Sequence, residues 1–371
     1  MIEAAERLAV SAERELEALV GVSTPSGDVP GAEEAVALCI AFLPPEAQPE
    51  RVPCSTDGHA PDLICRLHGT GASRIVLVGH LDTVVAHDAH RALSRDGDRL
   101  SGSGAVDMKG GVALALGVMR ELAERRQLYA EAAVLLVNDE EWRTVPFAHT
   151  ERFAGWDACL CFEAGEIDGD GRDAVIVRRK AAGTLEVRAH GRPAHSGSAP
   201  QKGRSALLAL ARVAELVAAS SDPGGPDRLT AVPTILRSGE AFNVVPPEGR
   251  LVCDLRADDL AAFQPVLAAV PPELDGVTIE SALVRAWPGM DTGSETADVL
   301  ERAAETLGRP LVASERGGAS DASHIAQAVP LTVDGLGPRG GGAHAPHEWV
   351  SAASLRSRAE VALSLVSTLL S

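Results

Sequence analysis

Three short apolar runs in this chain are each followed by histidine or carboxylate side chains, and this pattern constrains the fold more than any other feature. Residues 75–78 precede His80 and Asp82, residues 132–137 precede Glu140 and Glu141, and residues 158–162 precede Glu163. Unbroken apolar runs of this length are typical of strands buried on both faces in a parallel sheet. Because ligand groups collect at the carboxyl ends of such strands, residues far apart in sequence can meet there. The sequence therefore predicts a metal site at this edge of the sheet.

Composition limits the classes of partner. The chain has 371 residues and 45% apolar residues, which is enough for two domains with their own cores. Its formal charge of −18 would repel phosphate backbones and anionic lipid, so no nucleic acid and no membrane is expected as a partner. We find no membrane-length apolar run and no secretory signal pattern, and expect a cytoplasmic location. The six cysteines have no repeated short spacing, which favours reduced thiols.

The order of predicted elements indicates an α/β fold. Helical periodicity covers residues 6–20, 31–42, 109–126 and 352–370, and apolar strands are predicted at 76–78, 133–137 and 331–333. This alternation predicts a mostly parallel central sheet flanked by helices, with residues 331–333 as another central strand.

The pattern changes between residues 182 and 290. A half-exposed strand, an amphipathic helix, two strands, a second helix and a last strand follow one another there. This β-α-β-β-α-β order predicts a ferredoxin-like α+β domain inserted into the larger one. The expected domains are therefore 1–181 with 291–371, and 182–290.

His80 and Asp82 are two residues apart at a strand end, so their side chains point to the same side. Asp82 could accept the second ring N–H of His80 and leave the other nitrogen for metal. The alternative is an ordinary strand-to-loop cap in which His80 bonds to backbone.

The glycine-rich segment 101–111 leads into a helix and has three interpretations. It could be a phosphate cradle, although it lacks the P-loop spacing. Its glycines could instead permit close approach to a buried ion, with Asp107 bridging two cations. Asp107 could also simply cap the helix that begins near Lys109.

Glu140 and Glu141 are adjacent, so they point to different sides of the strand end. One could bind metal while the other acts as general base for a metal-activated water. The alternative is a pair of solvated acids, and Glu163 has the same ambiguity. His195 lies in the insert, where it is either a turn histidine or a transition-state donor delivered by closure or by a neighbouring subunit.

The ordered set of motifs resembles the co-catalytic zinc metallopeptidase and amidohydrolase family of glutamate carboxypeptidase, aminoacylase, acetylornithine deacetylase and succinyl-diaminopimelate desuccinylase. The motifs that carry the resemblance are Gly79-His80-Leu81-Asp82-Thr83-Val84, Asp107-Met108-Lys109-Gly110-Gly111, Asp139-Glu140-Glu141, Glu163, His195 and Gly342-Ala343-His344. They cover nearly the whole chain in order, including the position of the insert.

The resemblance implies a dinuclear centre in a phosphorylase/hydrolase-like catalytic domain. The implied roles are His80 and Glu163 on one ion, Glu141 and His344 on the other, Asp107 as bridge, Asp82 orienting His80, and Glu140 as base. Two divalent ions are implied, zinc by preference, with cobalt or manganese as alternatives. A cis peptide bond after Asp107 is also implied.

The implied function is metal-dependent hydrolysis of the amide bond of an N-acyl amino acid or small peptide. The alternatives are an exopeptidase of the same family, either a carboxypeptidase or a dipeptidase, and a catalytically silent metabolite-binding relative. The resemblance further implies a homodimer formed through the insert. Asn243 and Arg256 match positions that bind substrate carboxylate or support the oxyanion, and Gly318 lies in a segment that resembles a substrate-binding loop.

Two departures from the family pattern bear on specificity. Trp142, Arg143 and Thr144 replace small residues after Glu141, which predicts a bulkier pocket wall. Trp287 stands nearest to the position where glutamate-releasing carboxypeptidases place an arginine, so release of C-terminal glutamate is not expected. Trp287 could contact an apolar substrate group or be a core residue.

Overall fold

The computed structural model describes residues 2–371, and its helices and strands are numbered along the chain. The helices are α1 (Ile2–Gly21), α2 (Val29–Phe42), α3 (Gly110–Ala123), α4 (Ala206–Ala219), α5 (Gln264–Ala268), α6 (Gly293–Leu307), α7 (Asp321–Ile325) and α8 (Ala352–Leu369). The strands are β1 (Gln48–Val52), β2 (Asp62–His68), β3 (Ser73–His80), β4 (Ser94–Asp96), β5 (Arg99–Ser101), β6 (Tyr129–Val137), β7 (Ala158–Cys161), β8 (Glu166–Ile167), β9 (Asp173–Arg179), β10 (Ala181–His190), β11 (Thr230–Ser238), β12 (Glu248–Ala257), β13 (Glu273–Leu274), β14 (Val277–Trp287), β15 (Met290–Asp291), β16 (Leu311–Arg316), β17 (Thr332–Val333), β18 (Gly340–Gly341) and β19 (Trp349–Ser351).

The described chain divides into two compact units. The larger unit runs up to Arg178 and includes Asp291–Glu315 and Ser320–Ser371. The smaller unit consists of Arg179–Met290 and Arg316–Ala319.

The central sheet of the larger unit has the strand order β1-β2-β6-β3-β7-β17. β3 pairs in parallel with β6 and β7, and β7 pairs in parallel with β17, whereas β1, β2 and β6 pair antiparallel. The prediction of a mostly parallel α/β sheet is therefore confirmed.

One detail of that prediction is wrong, because β17 ends the sheet and is not a central strand. Only Thr332 and Val333 pair with β7. The next residue, Asp334, exchanges two backbone hydrogen bonds with Ile176 of β9. This contact covers the sheet edge, so an apolar run here does not require strands on both sides.

Burial explains why the strands read as unbroken apolar runs. Every side chain from Ile75 to Val78 is fully buried, because the sheet is covered on both faces. Helix α3 is buried along most of its length and packs against α1 and α8. It starts directly after the Asp107 segment, so the core holds the beginning of this helix close to the sheet edge.

The smaller unit has a ferredoxin-like fold, as predicted. Its antiparallel sheet has the order β11-β12-β10-β14-β13. The chain order β10-α4-β11-β12-α5-β14 gives the expected β-α-β-β-α-β pattern. One hydrophobic core contains Leu185 and Leu251 of the sheet, Leu210 of α4 and Phe263 before α5. One face of the sheet therefore packs on these helices.

Two small sheets complete the structure. One has the order β18-β19-β5-β4, and the other has the order β15-β9-β16 with β8 paired to β9. Trp349 and Val350 of β19 lie opposite Ser101 and Leu100 of β5, which brings the end of the His344 loop beside the glycine-rich segment. Among residues 2–371, no helix is long and apolar enough to cross a membrane.

At Gly111, near the start of α3, we expect any larger side chain to destabilise the fold. A Cβ atom at Gly111 would lie 1.8 Å from the carbonyl oxygen of Phe162, a backbone atom that cannot rotate away. We expect Gly111→Ala to lower the free energy of unfolding by about 1–3 kcal/mol or more, since overpacking forces the backbone to move. Urea unfolding measures this, with Gly21→Ala as the control because no atom lies within 4 Å of its added methyl group. Equal unfolding free energies for the two variants would contradict the prediction.

Candidate active site

The carboxyl ends of β3, β6 and β7 form the floor of the site. β3 lies between β6 and β7 and is parallel to both, with His80 opposite Val137 at the end of β6. The segments after these strands therefore leave the sheet at the same edge. His80 and Glu163, which are 83 positions apart, come within 3.9 Å between Nε2 and Oε1.

Asp107 lies at the centre of the side chains that could bind metal. Its Oδ1 atom is 3.1 Å from His80 Nε2, and its Oδ2 atom is 3.1 Å from His344 Nε2. His344 Nε2 is also 3.1 Å from Glu141 Oε2. Two groups result, one of His80, Asp107 and Glu163 and one of Asp107, Glu141 and His344, and the potential ligand atoms within each lie within 4.8 Å of one another.

The donor atoms in these groups fit divalent metal ions. Each group offers one imidazole nitrogen and carboxylate oxygens, which is a ligand set that zinc accepts. Asp107 belongs to both groups and presents a different oxygen to each histidine. The residues therefore suit two ions with one shared carboxylate.

Asp82 supports this edge of the sheet in two ways. His80 Nδ1 lies 3.0 Å from the main-chain carbonyl oxygen of Asp82 and 3.4 Å from its Oδ1 atom. The Asp82 carboxylate accepts the backbone N–H groups of Glu140 and Glu141, each at 3.1 Å. His80 Nδ1 thus contacts both the backbone and the side chain of Asp82, and Asp82 also fixes the backbone that carries the two glutamates.

Glu140 and Glu141 have different environments, as expected from their adjacent positions. Glu141 contacts His344, whereas Glu140 is buried. Burial raises the pKa of Glu140 well above its usual value; nearby His80 opposes this, while the carboxylates of Asp321, Glu163 and Glu141 add to it. The buried surroundings of Glu140 therefore favour its protonated form over its charged form.

The two histidines respond to the surrounding negative charge. Burial lowers the pKa of His80, but hydrogen bonds to Asp107 and Asp82 outweigh it and raise this pKa well above its usual value. Hydrogen bonds with Asp107 and Glu141 raise the pKa of His344 to about 10. The negative charge of the site therefore attracts cations, which in the metal-free protein are the protons on these imidazoles.

The glycine-rich segment is not a phosphate cradle. The backbone N–H groups of Gly104, Val106 and Asp107 all donate to the carboxylate of Glu348, at 2.7, 2.8 and 3.0 Å. The side chain of Asp107 does not cap α3, and the Asp107–Met108 peptide bond is cis. Glu348 was not predicted from the sequence, because the only feature that marks it there is its position four residues after His344.

The role of Arg143 was not predicted from the sequence, and the expected bulkier pocket wall at residues 142–144 stays a prediction. Trp142 is 64% exposed, while Arg143 is fully buried behind the site. Its guanidinium donates to Asp139 Oδ1 at 2.8 Å and to Asp321 Oδ1, and it stacks on the Phe147 ring. Arg143 thus offsets the charge of two buried carboxylates that flank Glu140 in sequence or in space.

In the smaller unit, His195 and Asn243 are neighbours. Residue 195 bridges to Val244, and the Asn243 carbonyl accepts the Ser196 N–H at 2.9 Å. His195 Nδ1 accepts the N–H groups of Gly197 and Ser198 at 3.1 and 3.2 Å. A neutral imidazole with its Nδ1 in this role carries its proton on Nε2, which is then free to donate to a ligand.

The other predicted substrate residues lie elsewhere in the smaller unit. Arg256 of β12 pairs with Asp254, and the Gly318 carbonyl accepts an N–H from Arg179 at 2.8 Å. Trp287 is only 1% exposed and has the Arg285 guanidinium stacked on it. It is therefore a core residue, and the interpretation of Trp287 as a substrate contact is wrong.

Comparison with known proteins shows the family and the fold of this chain. A model of peptidase family M20/M25/M40 matches residues 76–368. The chain is 30% identical to a succinyl-diaminopimelate desuccinylase of Xanthomonas oryzae pv. oryzae over 83% of this chain and 87% of the relative. It is 25% identical to carboxypeptidase G2 of Pseudomonas sp. strain RS-16, over 95% of this chain and 87% of the relative. The crystal structure of the aminopeptidase PepT from Bacillus cereus shares the fold with a TM-score of 0.79, at 20% identity, covering 98% and 99% of the two chains.

The buried position of Arg143 generates a stability prediction. We expect Arg143→Met to lower the free energy of unfolding by about 3–5 kcal/mol, since it leaves Asp139 and Asp321 buried without a cation. Asp321→Asn in the same chain should restore part of this loss, which a double-mutant cycle in urea would measure. The control is Arg212→Met, because the Arg212–Asp275 pair is exposed and should contribute little. Additive effects of the Arg143 and Asp321 substitutions would show that the pair is not coupled.

Proposed function

The chain belongs to peptidase family M20/M25/M40, and from this premise we propose that it hydrolyses the amide bond of an N-acyl amino acid or a small peptide. The observation that carries the proposal is the pair of ligand groups that share Asp107, with the buried Glu140 beside them. A hydrolase of this kind needs a cation site, a proton carrier and donors for the oxyanion, and the chain has candidates for each.

The metal ligands follow from the two groups. His80 and Glu163 would hold one ion, Glu141 and His344 the other, and Asp107 both. We propose zinc, with cobalt or manganese as alternatives, on the basis of the mixed imidazole and carboxylate donors. Bound ions would supply Lewis acidity that polarises the amide carbonyl and makes water acidic enough to give up a proton near neutral pH.

Glu140 is the proposed general base. Its backbone is held by Asp82, and its side chain is not a member of either ligand group. It would take a proton from the attacking water and then give it to the nitrogen of the leaving amine. Its raised pKa suits the second step, because the carboxyl group must keep the proton until the C–N bond breaks.

Residues of the smaller unit are the proposed substrate contacts. His195 would donate its Nε2–H to the oxyanion, a role supported by the two backbone donors that occupy Nδ1. Asn243, which is close to His195, together with Arg256 and Gly318 would bind the substrate carboxylate or support the oxyanion.

Deacylation of an N-acyl amino acid is the first candidate reaction. It is supported by the desuccinylase relatives, of which several match at about 30% identity. An exopeptidase, either a carboxypeptidase or a dipeptidase, is the second candidate, supported by the carboxypeptidase G2 match across 95% of the chain. Both reactions pass through a tetrahedral centre at an amide carbon, so the site residues serve either one.

We propose that the protein forms a homodimer through the smaller unit. Strand β11 is at the edge of its sheet, with exposed Val232, Ile235 and Leu236. Helix α4 also exposes Leu207 and, at 66%, Leu208. An apolar edge strand beside an apolar helix surface is suited to association with a second copy.

The first test removes the proposed base. Glu140→Gln should lower kcat by about 10²–10⁴-fold while two metal ions per chain are retained, because Glu140 is a proton carrier and not a ligand. The assay is mass spectrometry of a panel of acetyl, succinyl and aromatic acyl amino acids and dipeptides, with metal content measured by elemental analysis. The exposed Glu151→Gln variant is the control and should hydrolyse the same substrates as the unaltered protein. Full activity of Glu140→Gln would eliminate the mechanism.

The second test asks whether two chains share a site. If His195 of one chain acts on the site of its neighbour, mixing inactive His195→Ala and Glu140→Ala chains should restore about a quarter of the unaltered activity. Half of the dimers would then be mixed, and each would have one complete site. Light scattering establishes that dimers form, and co-purification of the two variants through different affinity tags establishes that mixed dimers form. No recovery in such mixed dimers would mean that His195 acts within its own chain.

A further inference from the structure

Glu348 is a buried carboxylate whose hydrogen bonds all serve the backbone around Asp107. One oxygen accepts the N–H of Gly104, and the other accepts the N–H groups of Val106 and Asp107. The side chain is not a member of either ligand group. It therefore acts on the shared ligand Asp107 through that residue's own main chain.

The backbone of this segment has the form of an anion-binding nest. Gly104 has a left-handed φ of 73°, and the Lys109 N–H donates to the Gly104 carbonyl at 2.9 Å, which closes a wide turn in which Asp107 and Met108 have non-helical backbone angles. Such a turn points several N–H groups toward one concave spot, which in many proteins receives a phosphate or another anion. Here the anion is the Glu348 carboxylate, so the N–H groups of the turn have a hydrogen-bond acceptor without an external ligand.

Glu348 also belongs to the loop that carries His344. Its backbone N–H donates to the Ala345 carbonyl at 3.1 Å, and its carbonyl accepts the Gly102 N–H at 3.2 Å. The residues that follow it pair with β5. One residue thus connects the His344 loop to the Asp107 turn.

The two ligand groups have unequal support from the fold. His80 ends β3 and is held through Nδ1 by Asp82, and Glu163 follows β7 within two residues. In contrast, the His344 side chain is 53% exposed, on a loop between β18 and β19. The position of His344 relative to Asp107 depends on contacts within this loop and on its connection to the turn.

We propose that Glu348 is a positioning residue that sets the metal affinity of the Asp107, Glu141 and His344 group more than that of the His80, Asp107 and Glu163 group. This inference rests on the metal site of the proposed function. With Glu348 in place, Asp107 and His344 are held at the separation that one ion requires. Without it, binding of that ion must also order the turn and the loop, which weakens its affinity.

Glu348→Gln and Glu348→Ala test the inference as a graded pair. The amide of glutamine keeps the shape but turns one acceptor into a donor that faces a backbone N–H, so at least one of the three hydrogen bonds is lost. Alanine loses all three. We expect the zinc affinity of the Asp107, Glu141 and His344 group to fall by about 10–100-fold in Glu348→Gln, which is typical of residues that orient ligands, and further in Glu348→Ala. The zinc affinity of the His80, Asp107 and Glu163 group should change little.

The measurement is titration of the metal-free protein with zinc against a chromogenic chelator, repeated with cobalt, whose absorption spectrum reports on each site. If the affinity loss is the cause of lost hydrolysis, added zinc should restore activity to Glu348→Gln. Asp98→Asn is the matched control, because Asp98 also accepts hydrogen bonds, from the Ala353 N–H and the Ser351 hydroxyl, but touches neither ligand loop. Both zinc affinities should be unchanged in that variant.

Unchanged affinities in Glu348→Gln, or equal losses at both sites, would overturn the inference. Thermal unfolding of the metal-free variants separates a local effect from general loss of structure. Glu348→Asp keeps the charge on a shorter side chain, so its zinc affinity should lie between those of the unaltered protein and Glu348→Ala. If all three variants are unfolded, Glu348 serves the fold and not the metal site. The titration needs no substrate, so two-site zinc binding by a protein that hydrolyses nothing would reject the proposed function while leaving this inference intact.

Discussion

Repulsion between carboxylates at one edge of the central sheet is the constraint on which the rest of the site depends. An unpaired buried charge is costly in a low-dielectric interior, so each of these groups needs a donor or a cation. Asp82 has two backbone N–H groups, Asp107 has two imidazoles, and Asp321 has Arg143. Burial raises the pKa of Glu140, and the neighbouring carboxylates of Asp321, Glu163 and Glu141 raise it further. The same charge that must be offset in the folded chain makes the site attractive to divalent ions.

Two kinds of scaffold hold the groups that meet at this edge. The sheet places His80 and Glu163 by strand pairing alone, because β3 and β7 are parallel neighbours. Asp107 and His344 lie on loops, where strand pairing cannot place them. The backbone around Asp107 donates hydrogen bonds to Glu348, which lies four residues after His344 and belongs to neither ligand group. The precision of a shared ligand thus requires support from a loop distant in sequence.

The fold could be predicted from sequence wherever burial leaves a periodic trace. Unbroken apolar runs indicated the parallel strands, and alternation indicated the ferredoxin-like sheet with one exposed face. The place of β17 could not be predicted, since a short apolar strand has the same pattern whether another strand or a single bridge covers it. The glycine-rich segment was ambiguous for a related reason: glycines permit a nest but do not specify which anion fills it.

The sequence by itself determined which chemistry was available, because the residue types after each strand and their order along the chain specify the donors that a parallel sheet brings together. The resemblance to a metallopeptidase family added expected roles for these residues. Only the tertiary structure decided which groups support them: Arg143 pairs with the buried carboxylates of Asp139 and Asp321, and Glu348 accepts the backbone N–H of Asp107. The two residues are far apart in sequence in the Arg143–Asp321 contact, by 178 positions, and in the contact between Asp107 and Glu348, by 241. No local sequence pattern therefore identifies the partner. Charge compensation is a property of the folded interior, where the cost of an unpaired group first arises.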